Sequence, residues 1–162
     1  MGKQIWKAEY NGHTIAVINS GLFKATFEID GVELAKSKEL ITGLFMGKLP
    51  EGEDVIAVIE SKMVDFESHL VVGNRVGLQA VDKGIWKAEY NGHTITVKNK
   101  LTKAVIEIDG VEKDKTRSLI DGVLNGKLPE GEDVMAFLDS EMFGVDAYLI
   151  IGNEVKMQHE KL

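Results

Sequence analysis

The chain has 162 residues, is 44% hydrophobic and carries a formal net charge of -7. That composition fits a globular protein with a packed core. It argues against nucleic acid as a partner, because phosphate binding rests on clustered Lys and Arg and the only arginines are Arg75 and Arg117. There is no cysteine, which excludes disulfides, thiolate catalysis and cysteine-ligated zinc.

The stretch IWKAEYNGHTI at residues 5–15 recurs letter for letter at residues 85–95. Within it a strand over 5–10 and a second over 13–19 are joined by Asn11-Gly12, the pair preferred in a type I′ hairpin turn because both residues must take positive φ. A two-residue turn sets Tyr10 opposite His13, Ala8 opposite Ile15 and Trp6 opposite Val17, all on one side of the ribbon. This is the expected core face, and the second copy keeps Trp86, Tyr90, Ile95 and Val97 on it. The opposite side carries Lys7, Glu9 and Thr14, matched by Lys87, Glu89 and Thr94, and then Ala16 and Ile18, which become Thr96 and Lys98 in the second copy.

After a connection of variable length (NSGLFK, then NKLTK) a third strand is expected over 25–30 and 104–109. Asp30-Gly31 and Asp109-Gly110 then turn the chain into a short return strand starting at Val32 and Val111. The Gly-rich middle, LITGLFMGKLPEGEDV and LIDGVLNGKLPEGEDV, reads as a short irregular strand or a turn of helix. Tight loops over 47–54 and 126–133 follow. Residues 55–59 and 134–138 are apolar on both faces; helix and strand compete there, and β-branched content favours a buried strand. Alternation over 66–72 and 145–151 marks another strand, and Gly73-Asn74 and Gly152-Asn153 are expected to turn it back into 75–79 and 154–158.

Turn signals every ~8 to 12 residues predict an all-β protein of two tandem antiparallel β-sandwich or barrel-like repeats related by pseudo-symmetry. The first repeat is expected over 1–79, a short linker over 80–84 and the second repeat over 85–162. No apolar run approaches the ~20 residues that span a bilayer. The opening MGKQIWKAEY lacks the apolar segment of a secretion signal, so a cytoplasmic protein without a membrane partner is expected.

The order of these features resembles the domain of the Fas apoptotic inhibitory molecule family. The residues that carry the resemblance are Trp6, Gly12-His13, Ile29-Asp30-Gly31 and residues 70–74, with Trp86, Gly92-His93, Ile108-Asp109-Gly110 and residues 149–153 in the second copy. The resemblance implies antiparallel β-sandwich units and a non-catalytic, protein-interaction role. It carries no functional residue to a numbered position, and the lack of cysteine departs from the family's animal members.

His13 and His93, each across the hairpin from a tyrosine, are the foremost candidates for proton relay or for sharing a metal. A histidine beside a tight turn more often packs over an aromatic and bonds backbone, and that is the expectation here. His69 corresponds to Tyr148, so no doubled site can use it, and His159 falls in a C-terminus expected to fray. Glu51, Glu53 and Asp54, with Glu130, Glu132 and Asp133, offer oxygen ligands to a hard cation but lack EF-hand spacing, and a solvated acidic turn is expected. Gly47-Lys48 and Gly126-Lys127 lack the Ser or Thr that completes a phosphate loop. No catalytic residue, metal or cofactor is therefore expected.

The resulting expectation is a non-enzymatic module that binds a protein partner or self-associates. Its candidate binding surface is Lys7, Glu9, Thr14, Lys87, Glu89 and Thr94, and its candidate interface is Ala16 and Ile18. The alternative is a carrier of a small apolar ligand in an internal cavity.

Overall fold

The computed structural model describes residues 2–20, 24–37, 42–61, 66–100, 102–117, 122–141 and 144–162. The middle of each connection before the third strand, residues 21–23 and residue 101, lies outside them, as do residues 40–41 and 119–121 at the start of each Gly-rich segment. The described chain is all-β, and among those residues no helix is long and apolar enough to cross a membrane. The chain divides into two compact units, Met1–Val72 with Glu154–Leu162, and Gly73–Asn153.

In the first unit β1 (Gln4–Tyr10) and β2 (His13–Asn19) pair in the expected register, with Tyr10 opposite His13, Ala8 opposite Ile15 and Trp6 opposite Val17. Asn11 and Gly12 take φ of 48° and 79°, as a type I′ turn requires. β3 (Ala25–Ile29) and β4 (Val32–Ser37) extend the sheet across the positive-φ pair Asp30-Gly31. β16 (Gln158–Lys161) pairs with the free side of β1, giving the order β16-β1-β2-β3-β4. Facing this sheet are β5 (Thr42–Lys48), β6 (Asp54–Ser61) and the first part of β7 (Phe66–Val76). Trp6, Ile15, Val17, Phe27 and Ile29 of one layer meet Phe45, Leu49, Val55, Ala57, Ile59, Leu70 and Val72 of the other in a single core. This is sandwich-like packing, two sheet faces closing over alternating apolar residues.

The second unit is built likewise. β8 (Gln79–Asp82), β9 (Ile85–Tyr90), β10 (His93–Asn99), β11 (Ala104–Ile108) and β12 (Val111–Thr116) form a sheet in the order β12-β11-β10-β9-β8. β13 (Gly122–Lys127), β14 (Asp133–Glu141) and β15 (Gly144–Glu154) supply the facing layer. Ile95, Val97, Ile106 and Ile108 pack there on Leu124, Leu128, Val134, Ala136, Leu149 and Ile151.

The segments apolar on both faces are strands. Val55, Ala57 and Ile59 enter the core, and Ile56 and Val58 on the opposite face of β6 are 1% and 0% exposed. A strand buried on both sides must be apolar throughout. The Gly-rich middle is a regular strand from Thr42 onward rather than an irregular one.

Gly73-Asn74 and Gly152-Asn153 do not turn the chain. β7 and β15 run straight through them, and none of the four residues has positive φ. Gly73 is needed for closeness instead, since a Cβ there would lie 2.2 Å from the Ile151 carbonyl oxygen. The residues expected to form a linker over 80–84 are largely β8, followed by a turn at Lys83-Gly84. Sequence repeat and compact unit consequently differ in extent: the first unit ends at Val72 and is completed by Glu154–Leu162.

Candidate functional site

The Asn11-Gly12 turn places His13 at the start of β2, the Asp30-Gly31 turn places Asp30 beside it, and the loop after β5 brings Glu51 to its far edge. His13 Nδ1–H donates to Asp30 Oδ2 at 2.6 Å, while Nε2–H donates to the Glu51 carboxylate at 2.8 Å and 3.0 Å. The second Asp30 oxygen accepts the Thr14 backbone N–H at 2.9 Å. In the second unit His93 lies between Asp109 at 2.6 Å and Glu130 at 2.7 Å, and Asp109 accepts from the Thr94 N–H at 2.9 Å.

Two ionised carboxylates can only accept, so both hydrogen bonds of each ring are made when the imidazole carries both protons, and the arrangement favours the imidazolium form. The hydrogen bond to Glu51 and then that to Asp30 raise the His13 pKa above 6.5. Glu130 and then Asp109 do the same for His93. Reciprocally, the bond from His13 holds Asp30 and Glu51 below their ordinary values. An imidazolium with both N–H groups engaged has no lone pair with which to take a proton or bind a metal. The carboxylates lie on opposite edges of the ring and do not converge on a common point. Among the described residues no group of three or more His, Cys, Asp or Glu could hold a metal ion.

The histidines therefore do not bond backbone as their turn position suggests; each clamps two turns together through carboxylates. Nor are the loop carboxylates merely solvated. Glu51 meets His13, Glu53 accepts from Tyr10 Oη–H at 3.0 Å, and Asp54 pairs with Lys48 at 2.9 Å. Glu132 likewise accepts from Tyr90 at 3.1 Å, and Asp133 pairs with Lys127 at 3.2 Å. Burial first, and then Glu132, raise the Tyr90 pKa. The loop's oxygens are thus shared among three separate partners, unlike the convergent set a hard cation needs.

The candidate binding surface lies on the outer faces of the two hairpins. Lys7, Glu9, Lys87 and Glu89 are exposed, and Thr14 and Thr94 are half-buried. Thr14 donates to Glu9 at 2.8 Å, and Thr94 to Glu89 at 2.9 Å. The candidate interface is less open than the strand pattern suggests: Ala16 is buried and Ile18 half-buried. His159 does not fray. It sits in β16 with its ring stacked on Trp6, centroids 4.7 Å apart and planes 6° from parallel, and its Nε2 bonds Gln4 at 2.8 Å. His69 lies 3.3 Å from Glu60, which is the first cause of its raised pKa.

Sequence reasoning missed the His–Asp–Glu clasp because its members are 17 and 38 residues apart. The available signal was that all three recur together in the second copy. No protein-family model matches the chain, and neither does any curated protein or solved structure.

Proposed function

We propose that the protein is a non-enzymatic module that self-associates through the edge strand β4. The observation that carries this reading is that β4 ends its sheet with Val32 and Leu34 61% and 46% exposed. An unpaired edge with apolar side chains is a template for strand addition. A second copy is the occupant that fits. Glu33 and Lys36 flank the register irregularity at Leu34, and an antiparallel second copy of β4 brings these unlike charges of the two copies towards each other, the self-complementarity a two-fold interface requires. In the second unit the place of Leu34 is taken by the charged Lys113, a residue type that guards edges.

Two further features support a non-enzymatic reading. The histidines that recur in both copies have both ring nitrogens engaged by carboxylates. Fully buried side chains such as Phe27, Ile15, Ile95 and Leu124 pack the middle of each core, which favours action through surfaces over a carrier cavity inside it. The resemblance to the Fas apoptotic inhibitory molecule domain adds to this reading. The test is sedimentation of the full chain over a concentration series. The proposal expects a reversible dimer that Leu34→Lys converts to a folded monomer whose melting temperature no longer depends on concentration. A wild-type chain that stays monomeric throughout overturns it.

A further inference from the structure

Trp6 and Trp86 occupy the same place in the repeated hairpin, yet they have different neighbours. Trp6 is 3% exposed, opposite His159 on β16 and covered by that ring. Trp86 is opposite Ala80 on β8 and is half-buried. Two more positions shrink in the second unit. Gln4, which is buried and bonded to His159, corresponds to Gly84; Phe66, which packs against the first core, corresponds to Val145. The places of Gln4 and Phe66 are thus held by smaller residues in the second unit, and the place of His159 by Ala80. A half-enclosed cavity of about 460 Å³ is found there, lined by Lys83, Gly84, Trp86, Asn99, Gly144 and Val145.

The geometry points to this cavity as a binding site for a planar aromatic carboxylate of small-molecule size. Its volume lies within the range of ligand pockets, about 300–1,000 Å³. The flat ring is specified by the protein's own stand-in, because on Trp6, the equivalent residue of the first unit, the planar imidazole of His159 lies parallel to the indole. The acid is specified by Lys83, the charged residue of the lining among the described residues. The carboxylate of its neighbour Asp82 is turned back onto the Lys83 backbone N–H at 2.8 Å. Asn99, also in the lining, carries an amide with both donor and acceptor groups. Gly84 is fixed in the opening by φ of +71°, and a Cβ there would meet the Asn99 carbonyl oxygen at 2.8 Å, so the floor stays free of a side chain. The site is independent of self-association through β4, which lies in the first unit.

The probe is 2-naphthoate, titrated into the full chain while the two tryptophan indole N–H signals are followed by NMR. Saturable movement of the Trp86 signal is expected, with Trp6 unmoved. Stacking should favour 2-naphthoate over cyclohexanecarboxylate by about twofold to tenfold. Lys83→Gln should weaken 2-naphthoate by about threefold to fivefold and leave 2-naphthamide unchanged. Ala80→His rebuilds the stack of the first unit, where that residue is tolerated, and should abolish binding at unchanged dimerisation. No saturable shift of Trp86, equal movement of Trp6, or full binding by a folded Ala80→His variant would each overturn the assignment.

Discussion

Leu49 couples the core of the first unit to the His13 clasp, and shortening it tests that coupling. The side chain is 2% exposed and part of the core cluster. Its backbone closes the loop that follows β5: Leu49 N–H donates to the Glu53 carbonyl at 2.8 Å, and its own carbonyl accepts from Gly52 N–H at 2.9 Å. Glu51, held inside that closure, grips His13. Leu49→Ala removes three buried carbons, a change that costs about 2–5 kcal/mol at fully buried sites. A loop at the end of a strand collapses partly into the void, which places the expectation near 3 kcal/mol, or roughly 12–24 °C in Tm for a unit of this size. Denaturant unfolding measures the first quantity, and NMR titration of the imidazole protons measures the second consequence. His13 should titrate closer to 6.5, whereas His93, whose Glu130 loop is anchored by Leu128 at 2% exposure, should be unmoved. A stability loss below about 1 kcal/mol, or a His13 titration identical to wild type, would refute the coupling.

Stability should also depend on pH in a definite sense. The His13 and His93 pKa values are higher folded than the ordinary 6.5. Their contribution is therefore complete below pH 6.5 and is lost as the pH rises through the folded values. Asp30 and Glu51 are depressed from 3.8 and 4.5, so theirs is present above those values and is lost as the pH falls through the folded ones. Tm should decline from mildly acidic to alkaline pH, and the double variant His13→Gln, His93→Gln should lose most of that slope; an unchanged slope would locate its source elsewhere. Tyr10→Phe deletes the donor to Glu53 and should cost about 1 kcal/mol by urea unfolding. Gly12→Ala meets only the strain of φ +79° in open space and should cost about 1–2 kcal/mol. Gly73→Ala forces backbone apart and should cost more; an equal or smaller loss would contradict the close approach to Ile151.

What was legible in the sequence was local. Register in the Trp6 hairpin follows from a two-residue turn and a period of two, both contained in residues 5–17, and the pairing of Trp6 with Val17 agrees with it. The strand over 55–59 was legible because Val55, Ile56, Val58 and Ile59 are β-branched and a doubly buried strand has no polar face to show. Gly73 was misread because glycine serves two purposes, positive φ and close backbone approach, and a sequence does not distinguish them. His159 and His13 were misread for a different reason. Their partners Trp6, Asp30 and Glu51 are brought near by strand pairings that no local pattern encodes. The half-buried state of Trp86 could have been anticipated only by knowing that Ala80 and not His159 would lie beside it.

That choice of neighbour is itself written in side chains. The place held by His69 in the first unit is held by Tyr148 in the second, and the place of Glu154 by Arg75. In the folded chain the matches are favourable: His69 Nδ1 lies 4.0 Å from Glu154, and the Arg75 guanidinium lies over the Tyr148 ring at 5.9 Å, a cation–π contact. Were each repeat to close on its own terminal strand, Arg75 would take the place beside His69, setting a guanidinium against an imidazole whose raised pKa favours its cationic form. Glu154 would then bring a carboxylate to the negative face of Tyr148. His159 would leave Trp6 and lose Gln4, its hydrogen-bond partner, because position 84 is glycine. Individually these are small terms, roughly 0.5–1 kcal/mol at exposed sites. All of them have the same sign, however, and β7 and β15 are unbroken where the alternative would need a reversal. The partition of the chain at Val72 and Glu154 is thus favoured both by what the exchanged strands touch and by what their absence from their own repeats avoids.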